Sequence, residues 1–465
     1  MSRKMTMQEA IDEANRCLRC AKPLCRTGCP INNNIPEFIH ALGEGNIGYA
    51  YEIIATRSNL PAICGRVCAQ EKQCEGSCIL GRKNAAIEIG SLERFIADFV
   101  YEHGLNPVPA TNGKQGKVAI IGSGPAGLTM AGDLAKEDFD VTIFESLSEP
   151  GGVLMFGIPD FRLKKDVVRR EIDHLRQLGV KIETNVMIGA NRTIDDLFAE
   201  GYDAIFMGTG TAMPNILDIP GKDLTNIYTA TYFLRMCTLV ELEQLDAEED
   251  LIKPGDNVIV IGGGNVALDA ARSAIRREAN SVTIVYRKTQ DKMTGLPSEF
   301  EDAKNEGVEF KFLKSPVAYM SKKQMRAMTG ERSVIKNAED DNKLAGVVFE
   351  NVVEKGEDGG QEIIPCDVVI LAVGQKAADR IVSTTKGIEV SDSGLVITKD
   401  RPYGMTTRHG VFSSGDVVHG PKTVVHAMRE SKKVAKGIEE YVSAIRLLED
   451  ANIHIDRGGN EIKSK

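Results

Sequence analysis

Apolar and polar positions follow three different patterns along the chain. Up to about residue 112, apolar residues recur at helical spacing in short pieces. Between residues 7 and 20, Ile11, Ala14, Cys17 and Leu18 fall on one helical face, and 36–42 and 49–56 read as further short helices. Pro107, Pro109, Asn112 and Gly113 then mark a linker. From Lys117 the pattern changes. Lys117–Ile121 is a short apolar run, followed by a glycine turn, a helical stretch and a second apolar run at 141–145. That order predicts a β-α-β unit. It recurs at Asn257–Ile261, a second glycine turn, a helix to about Arg277, and Ser281–Tyr286. Two such units predict two nucleotide-binding domains. Residues 320–365, polar and rich in Gly and Lys, are expected to form hairpins and loops of the second. The stretch after Asp450 reads as a frayed tail.

Composition narrows the class. The chain has 465 residues, 42% of them apolar, and a formal charge of −9. This suits a globular protein of two or three domains. It gives no general attraction to nucleic acid or to anionic membranes. No stretch approaches the ~18–20 apolar residues of a membrane helix. Residues 1–15 are polar with mixed charge and lack the apolar centre of a secretory signal. The expected location is the cytoplasm.

The first glycine turn, Gly122-Ser123-Gly124-Pro125-Ala126-Gly127, fits G-x-G-x-x-G between strand and helix. Gly122 permits the tight turn, Gly124 lets a pyrophosphate approach, and Gly127 lets helix and strand pack closely. The helix N-terminus faces the phosphates with its positive end. Glu145 closes the second strand, placed to hold a ribose hydroxyl. A further glycine pair, Gly151-Gly152, comes next with Val153 and Leu154, as in FAD enzymes similar to glutathione reductase. Far along the chain, Gly415-Asp416 offers a carboxylate for ribityl or pyrophosphate oxygens, with a plain helix cap as the alternative. Together these point to FAD. The second turn runs Gly262-Gly263-Gly264-Asn265-Val266-Ala267. No acid ends the next strand; Arg287 and Lys288 stand there instead. Cations suit a 2′-phosphate, so NADPH is favoured over NADH. A solvated surface pair is the plain alternative, and Lys292 is a further candidate.

Eight of the ten cysteines lie between positions 17 and 78. Their spacing is Cys17-x2-Cys20-x4-Cys25-x3-Cys29-Pro30, then Cys64-x3-Cys68-x5-Cys74-x3-Cys78. The close run of four before a proline is similar to ferredoxin runs. Eight thiolates suffice for two [4Fe–4S] clusters; two zinc ions or a disulfide framework are the competing readings. Cys237 and Cys366 stand alone and read as buried small hydrophobes. With no cysteine pair beside the flavin motifs, a dithiol-exchanging flavin reductase is disfavoured.

From the cysteine array through Gly122–Gly127, 151–159 and 262–269 to Gly415-Asp416, the chain resembles the small subunit family of NADPH-dependent glutamate synthase. The same module resembles the large subunit of NADH-dependent ferredoxin:NADP oxidoreductase and the N-terminal part of dihydropyrimidine dehydrogenase. The resemblance implies an α/β fold: two Rossmann-like domains, with the NADPH domain inserted in the FAD domain, behind an α-helical iron–sulfur domain. The implied divisions are 1–112 for the clusters, 113–224 and 371–445 for FAD, 225–370 for NADPH, and 446–465 as tail. The FAD domain is expected to resume near 369–374. The resemblance also implies interleaved cluster ligands: Cys17, Cys20, Cys25 and Cys78 on one, Cys29, Cys68, Cys74 and Glu93 on the other. Cys64 is then a spare thiol, although spacing alone selects it over Glu93. An ordinary exposed helical glutamate is the plain reading of Glu93.

The implied activity is hydride transfer from NADPH to FAD, then single electrons through the clusters to a redox partner subunit. No catalytic acid or base is needed. The partner is expected to be the glutamate synthase large subunit, or a small ferredoxin:NADP reductase-type subunit with electron bifurcation at the flavin. An input subunit of dihydropyrimidine or sulfide dehydrogenase comes after these. A non-catalytic redox sensor or scaffold is the reading from another class.

Overall fold

The computed structural model describes residues 2–105, 114–211, 213–329, 342–353, 359–377, 380–451, 453–455 and 462–464. The expected linker at 107–113 lies outside the described residues. So do 330–341 and 354–358 of the expected hairpin region, and most of the tail. The chain divides into two compact units. One comprises Met1–Met155, Asp160–Met213 and Lys376–Lys465; the other comprises Phe156–Pro159 and Pro214–Gln375.

The first unit begins with short helices. Thr6 starts Met7–Asn15 with a capping box: its side chain accepts from the Glu9 N–H, and Glu9 Oε2 accepts from the Thr6 N–H at 2.7 Å. This helix stops short of the expected residue 20. Its buried face is Ala10, Glu13 and Ala14, and Arg19 has a positive φ of 48°. The apolar spacing of Cys17 and Leu18 continues the helical pattern, but both lie on a loop. Helices Ile35–Gly43, Ile47–Ala55 and Ile89–Glu102 share one core around Phe38, Leu42, Ile54, Leu92 and Ile96.

Behind them lies a seven-stranded sheet. Its order is Thr398–Asp400, Tyr403–Thr406, Val411–Ser413, Ala204–Met207, Lys117–Ile121, Asp140–Phe144, Lys181–Glu183. Lys117–Ile121 pairs in parallel with Asp140–Phe144, Lys117 opposite Asp140 and Ile121 opposite Phe144. Such central strands are covered on both faces, which is why they read as unbroken apolar runs. Helices Pro125–Lys136 and Val424–Asp450 pack on each other.

The second unit is inserted between residues 213 and 376 of the first. Its five parallel strands run in the order Ile227–Thr229, Val368–Leu371, Asn257–Ile261, Ser281–Tyr286, Glu309–Phe312. Val368–Leu371, expected at the resumption of the FAD domain, therefore sits inside this sheet, with Val369 opposite Ile259. A fully apolar run fits a buried strand of either sheet, so the pattern alone did not separate them. Residues 214–224 also belong here: the Tyr319 N–H donates to the Pro220 carbonyl at 2.8 Å. Part of the Gly- and Lys-rich region forms a three-stranded antiparallel sheet of Lys314–Ser321, Leu344–Asn351 and Gln361–Pro365. Its Tyr319, Val347 and Phe349 share a core with Ile259, Val285 and Val369. Among the described residues, no helix is long and apolar enough to cross a membrane.

Candidate functional site

The first glycine turn is packed as tightly as its motif requires. Gly122 has φ 96°, and a Cβ there would lie 2.9 Å from the Gly208 carbonyl oxygen. A Cβ on Gly127 would lie 1.9 Å from the Gly122 oxygen, so the helix rests directly on the turn. Gly124 differs. Its backbone is extended, it caps Pro125–Lys136, and a Cβ there would meet nothing within 4 Å. The N-terminus of that helix thus opens onto free space. Gly152 closes one side, where a Cβ would come 2.9 Å from Gly124 Cα. Leu154 is buried and Val153 exposed.

Gly415 reaches the same place, with a Cβ there 3.0 Å from that of Ala126. It carries Asp416 to the first turn at the head of a short helix. Burial raises the Asp416 carboxyl to about 6, although its Oδ1 accepts from the Lys422 N–H at 3.1 Å. Next to Gly415, the Ser414 hydroxyl is buried and without a partner among the described residues. Such an orphan costs about 1–3 kcal/mol, and a ligand with polar oxygens would relieve it. Glu145 is buried and cross-ties the turns. Its Oε2 accepts from the Ser123 N–H at 3.0 Å and from the Ser123 hydroxyl; its Oε1 accepts from Leu147 N–H at 2.9 Å. Ser123 Oγ accepts in turn from the Gly151 N–H at 2.8 Å. Sequence reasoning missed Ser123; its only signal was a hydroxyl inside a glycine turn.

In the second unit, a Cβ on Gly262 would sit 2.5 Å from the Ala372 oxygen, and one on Gly263 2.6 Å from the Tyr286 ring. Gly264 is again extended and open; a Cβ there meets only Thr294 Oγ1, at 3.3 Å. Helix Asn265–Ile275 comes next, with Ala267 buried and Val266 exposed. Asn265 Oδ1 accepts from the Leu296 N–H at 2.8 Å, and the Gly263 carbonyl accepts from Thr294 and Gly295 at 3.0 and 3.1 Å. This Thr294–Leu296 flank carried no motif. Arg287 and Lys288 come directly after the strand Ser281–Tyr286, are exposed, and form no ion pair among the described residues. Lys292 pairs with Asp291 at 3.5 Å.

The thiols fall into two groups. Cys17, Cys20, Cys25 and Cys78 line one open cavity. Around the other group, Cys68 feels Cys64, Glu93 and Cys74, and Cys74 feels Cys29 and Glu93. Burial pushes Cys25 and Cys29 up to about 11 and Cys74 well above its ordinary value. Thiols so placed ionise near neutrality only against a positive metal centre. Glu93 keeps part of its surface, yet enough protein surrounds its carboxyl that burial, then the charge of Glu171, raises it to about 8. Cys64 is buried, 3.5 Å from Met428 Sδ and 3.8 Å from Ser58 Oγ. Among the described residues, no three His, Cys, Asp or Glu side chains converge tightly enough to grip one ion. Zinc wants four donors about 2.0–2.3 Å from one point; thiols set around a cavity suit a larger cluster better. Cys237 and Cys366 are buried in cores of the second unit, and burial pushes both thiols up.

Known proteins are similar to this chain. Residues 1–105 match the family described as dihydropyrimidine dehydrogenase domain II, 4Fe–4S cluster, and 116–431 match pyridine nucleotide-disulphide oxidoreductase. The fold and its two glycine turns therefore define a pyridine nucleotide-dependent flavin oxidoreductase with an N-terminal 4Fe–4S domain. The glutamate synthase [NADPH] small chain of Halomonas elongata is 35% identical, over 94% of this chain and 91% of its own. The NAD-dependent dihydropyrimidine dehydrogenase subunit PreT of Escherichia coli O157:H7 is 33% identical, over 93% and 94%. Among solved structures, Mycobacterium tuberculosis FprA in complex with NADPH shares the fold at TM-score 0.54 and 20% identity, over 73% of this chain and 87% of its own. The chain belongs to the family of the glutamate synthase [NADPH] small chains.

Proposed function

We propose that the chain is the electron-input subunit of a cytoplasmic glutamate synthase. It takes hydride from NADPH onto FAD and passes electrons singly to a large subunit that makes L-glutamate from glutamine and 2-oxoglutarate. In this reading the helical part up to residue 105 is the iron–sulfur domain, the rest of the first unit holds FAD, and the second unit holds NADPH. Gly122, Gly124, Pro125, Ala126, Gly127 and Gly152 cradle the FAD pyrophosphate, flanked by Val153 and Leu154. Glu145 orders the ribose end, and Gly415 and Asp416 the ribityl side. Gly262, Gly264, Asn265, Val266 and Ala267 receive the NADPH pyrophosphate, with Arg287 and Lys288 on its 2′-phosphate. Cys17, Cys20, Cys25 and Cys78 hold one [4Fe–4S] cluster; Cys29, Cys68, Cys74 and Glu93 hold the other. When bound, FAD converts the hydride pair into single electrons and the clusters carry them. The protein orients these groups and shields them; no side chain need move a proton.

The observation that carries this reading is the division of the thiols into two groups within the same unit as the FAD-type turn. A hydride-using flavin needs such centres only to pass single electrons to another redox site. The similarity to PreT favours a second reading, an input subunit of dihydropyrimidine dehydrogenase. The test combines the anaerobic holoprotein with a glutamate synthase large subunit, glutamine, 2-oxoglutarate and NADPH. NADPH-dependent glutamate is expected. NADPH oxidation with no glutamate, but with reduction of uracil by a dihydropyrimidine dehydrogenase partner, would favour the second reading.

A further inference from the structure

The segment that carries Arg287 and Lys288 buries little of its own. Residues 287–292 are all exposed, so no apolar side chain among them anchors the loop. Hydrogen bonds hold it at both ends. At the far end, the Gly263 carbonyl accepts from the Thr294 and Gly295 N–H groups, and Asn265 Oδ1 accepts from that of Leu296. These bonds fix the segment to the second glycine turn. At the near end stands Tyr286, the last residue of its strand. Its ring packs against Gly263, where a Cβ would lie 2.6 Å from the ring. The Tyr286 hydroxyl donates to the Lys292 carbonyl at 3.0 Å, across the short turn Gln290–Lys292. A half-buried tyrosine can give its hydroxyl to water. Given to a loop carbonyl, it closes residues 286–292 into a ring. Between the two ends, the Lys288 carbonyl receives a longer bond from the Leu313 N–H, at 3.4 Å.

We propose that the Tyr286 hydroxyl clamps this segment and, by fixing where Arg287 and Lys288 stand, sets the preference for NADPH over NADH. The inference rests on the reading of those two cations as the 2′-phosphate contacts. Tyr286 itself is a positioning residue. An arginine on a free loop must give up the motion of its side chain and of the loop before it can meet a phosphate. A clamped loop has lost that motion already, so less of the contact is spent on ordering. The gain falls on the 2′-phosphate alone. The pyrophosphate is received by Gly262–Ala267, which the hydroxyl does not tie, and NADH has no 2′-phosphate to profit from the clamp.

The test measures Kd of NADP⁺ and of NAD⁺ for the oxidised holoprotein by titration calorimetry. Tyr286→Phe keeps the ring against Gly263 and removes the clamp. Its Kd for NADP⁺ should rise roughly two- to tenfold, the worth of one hydrogen bond, while that for NAD⁺ stays as in wild type. In a background that already carries Arg287→Ala and Lys288→Ala, the same change should have no further effect, because the clamp acts through those cations. A purely structural role would weaken both nucleotides and would persist in that background. An unchanged Kd for NADP⁺, equal weakening of NADP⁺ and NAD⁺, or an undiminished effect without the two cations would overturn the clamp. An Arg287→Ala/Lys288→Ala protein that binds NADP⁺ as tightly as wild type would instead strike the 2′-phosphate assignment beneath it.

Discussion

The contrast between Gly124 and Gly127 offers a sharp test of the first nucleotide site. Both are motif glycines, yet they differ sterically. At Gly127 a methyl group would lie 1.9 Å from the Gly122 carbonyl oxygen. The helix must withdraw by roughly 1 Å before that contact becomes tolerable. Overpacking of this kind costs typically about 1–3 kcal/mol, and it falls on the protein whether or not FAD is bound. At Gly124 the added methyl meets nothing within 4 Å, and φ −69°, ψ −176° is open to alanine. The flavin-free Gly124→Ala protein should therefore melt within about 0.5 kcal/mol of wild type. Its cost should appear only against FAD, whose pyrophosphate takes that space. A clash of about 1–3 kcal/mol weakens FAD binding roughly 5- to 150-fold. Thermal melting of the flavin-stripped proteins and fluorescence titration with FAD separate the two. Gly127→Ala should lose in both assays and Gly124→Ala in the second alone. If Gly124→Ala binds FAD as tightly as wild type, the pyrophosphate does not approach there and the site is misassigned.

Other parts of the molecule give three further tests. Arg287→Ala should raise KM for NADPH roughly tenfold or more and leave NADH unchanged, since a charge-assisted contact is worth about 1.5–3 kcal/mol; equal effects on both cofactors would sink the 2′-phosphate role. Iron analysis of Glu93→Ala and Cys64→Ala decides the last cluster ligand: the first should lose about half its iron and the second none, and the reverse pattern would hand the role to Cys64. In the second unit, burial alone would raise Glu306, but Arg276 and Arg272 outweigh it and hold the carboxyl at about 2, against an ordinary 4.5. A lowered folded-state pKa stabilises above pH 4.5, and that gain is lost as pH falls from 4.5 towards 2. Urea unfolding should show wild type exceeding Glu306→Gln near pH 6 by on the order of 2 kcal/mol, with the gap roughly halved by pH 3 and closing only below about pH 2; a gap that does not change with pH would refute this pairing.

The features legible from residues alone were mostly local. Each glycine turn, with its strand before and helix after, is a contiguous stretch whose steric demands are written in its own glycines. The position of Arg287 and Lys288, directly after the strand, was legible because strand length fixes which residues come after Tyr286. Boundaries were harder. The apolar strand Val368–Leu371 looks alike in either sheet, and only its parallel register with Asn257–Ile261 assigns it. The helix Met7–Asn15 was extended too far because Cys17 and Leu18 mimic a buried helical face while serving a cavity. The thiol grouping was the least legible part. Cys78 joins Cys17, Cys20 and Cys25 across some fifty residues, a pairing no spacing rule contains. Family resemblance supplied it, and the cavity agrees with it for that first group.

Acceptance of hydride and release of single electrons by this chain can be tested together. The most direct measurement takes the anaerobically purified protein, determines iron, acid-labile sulfide and flavin per chain, and then adds NADPH. About eight irons, one FAD, bleaching of the flavin by NADPH ahead of NADH, and the appearance of reduced-cluster electron paramagnetic resonance signals are predicted. Zinc in place of iron, or flavin reduced by NADPH with clusters that stay oxidised at every potential the nucleotide reaches, would contradict the account.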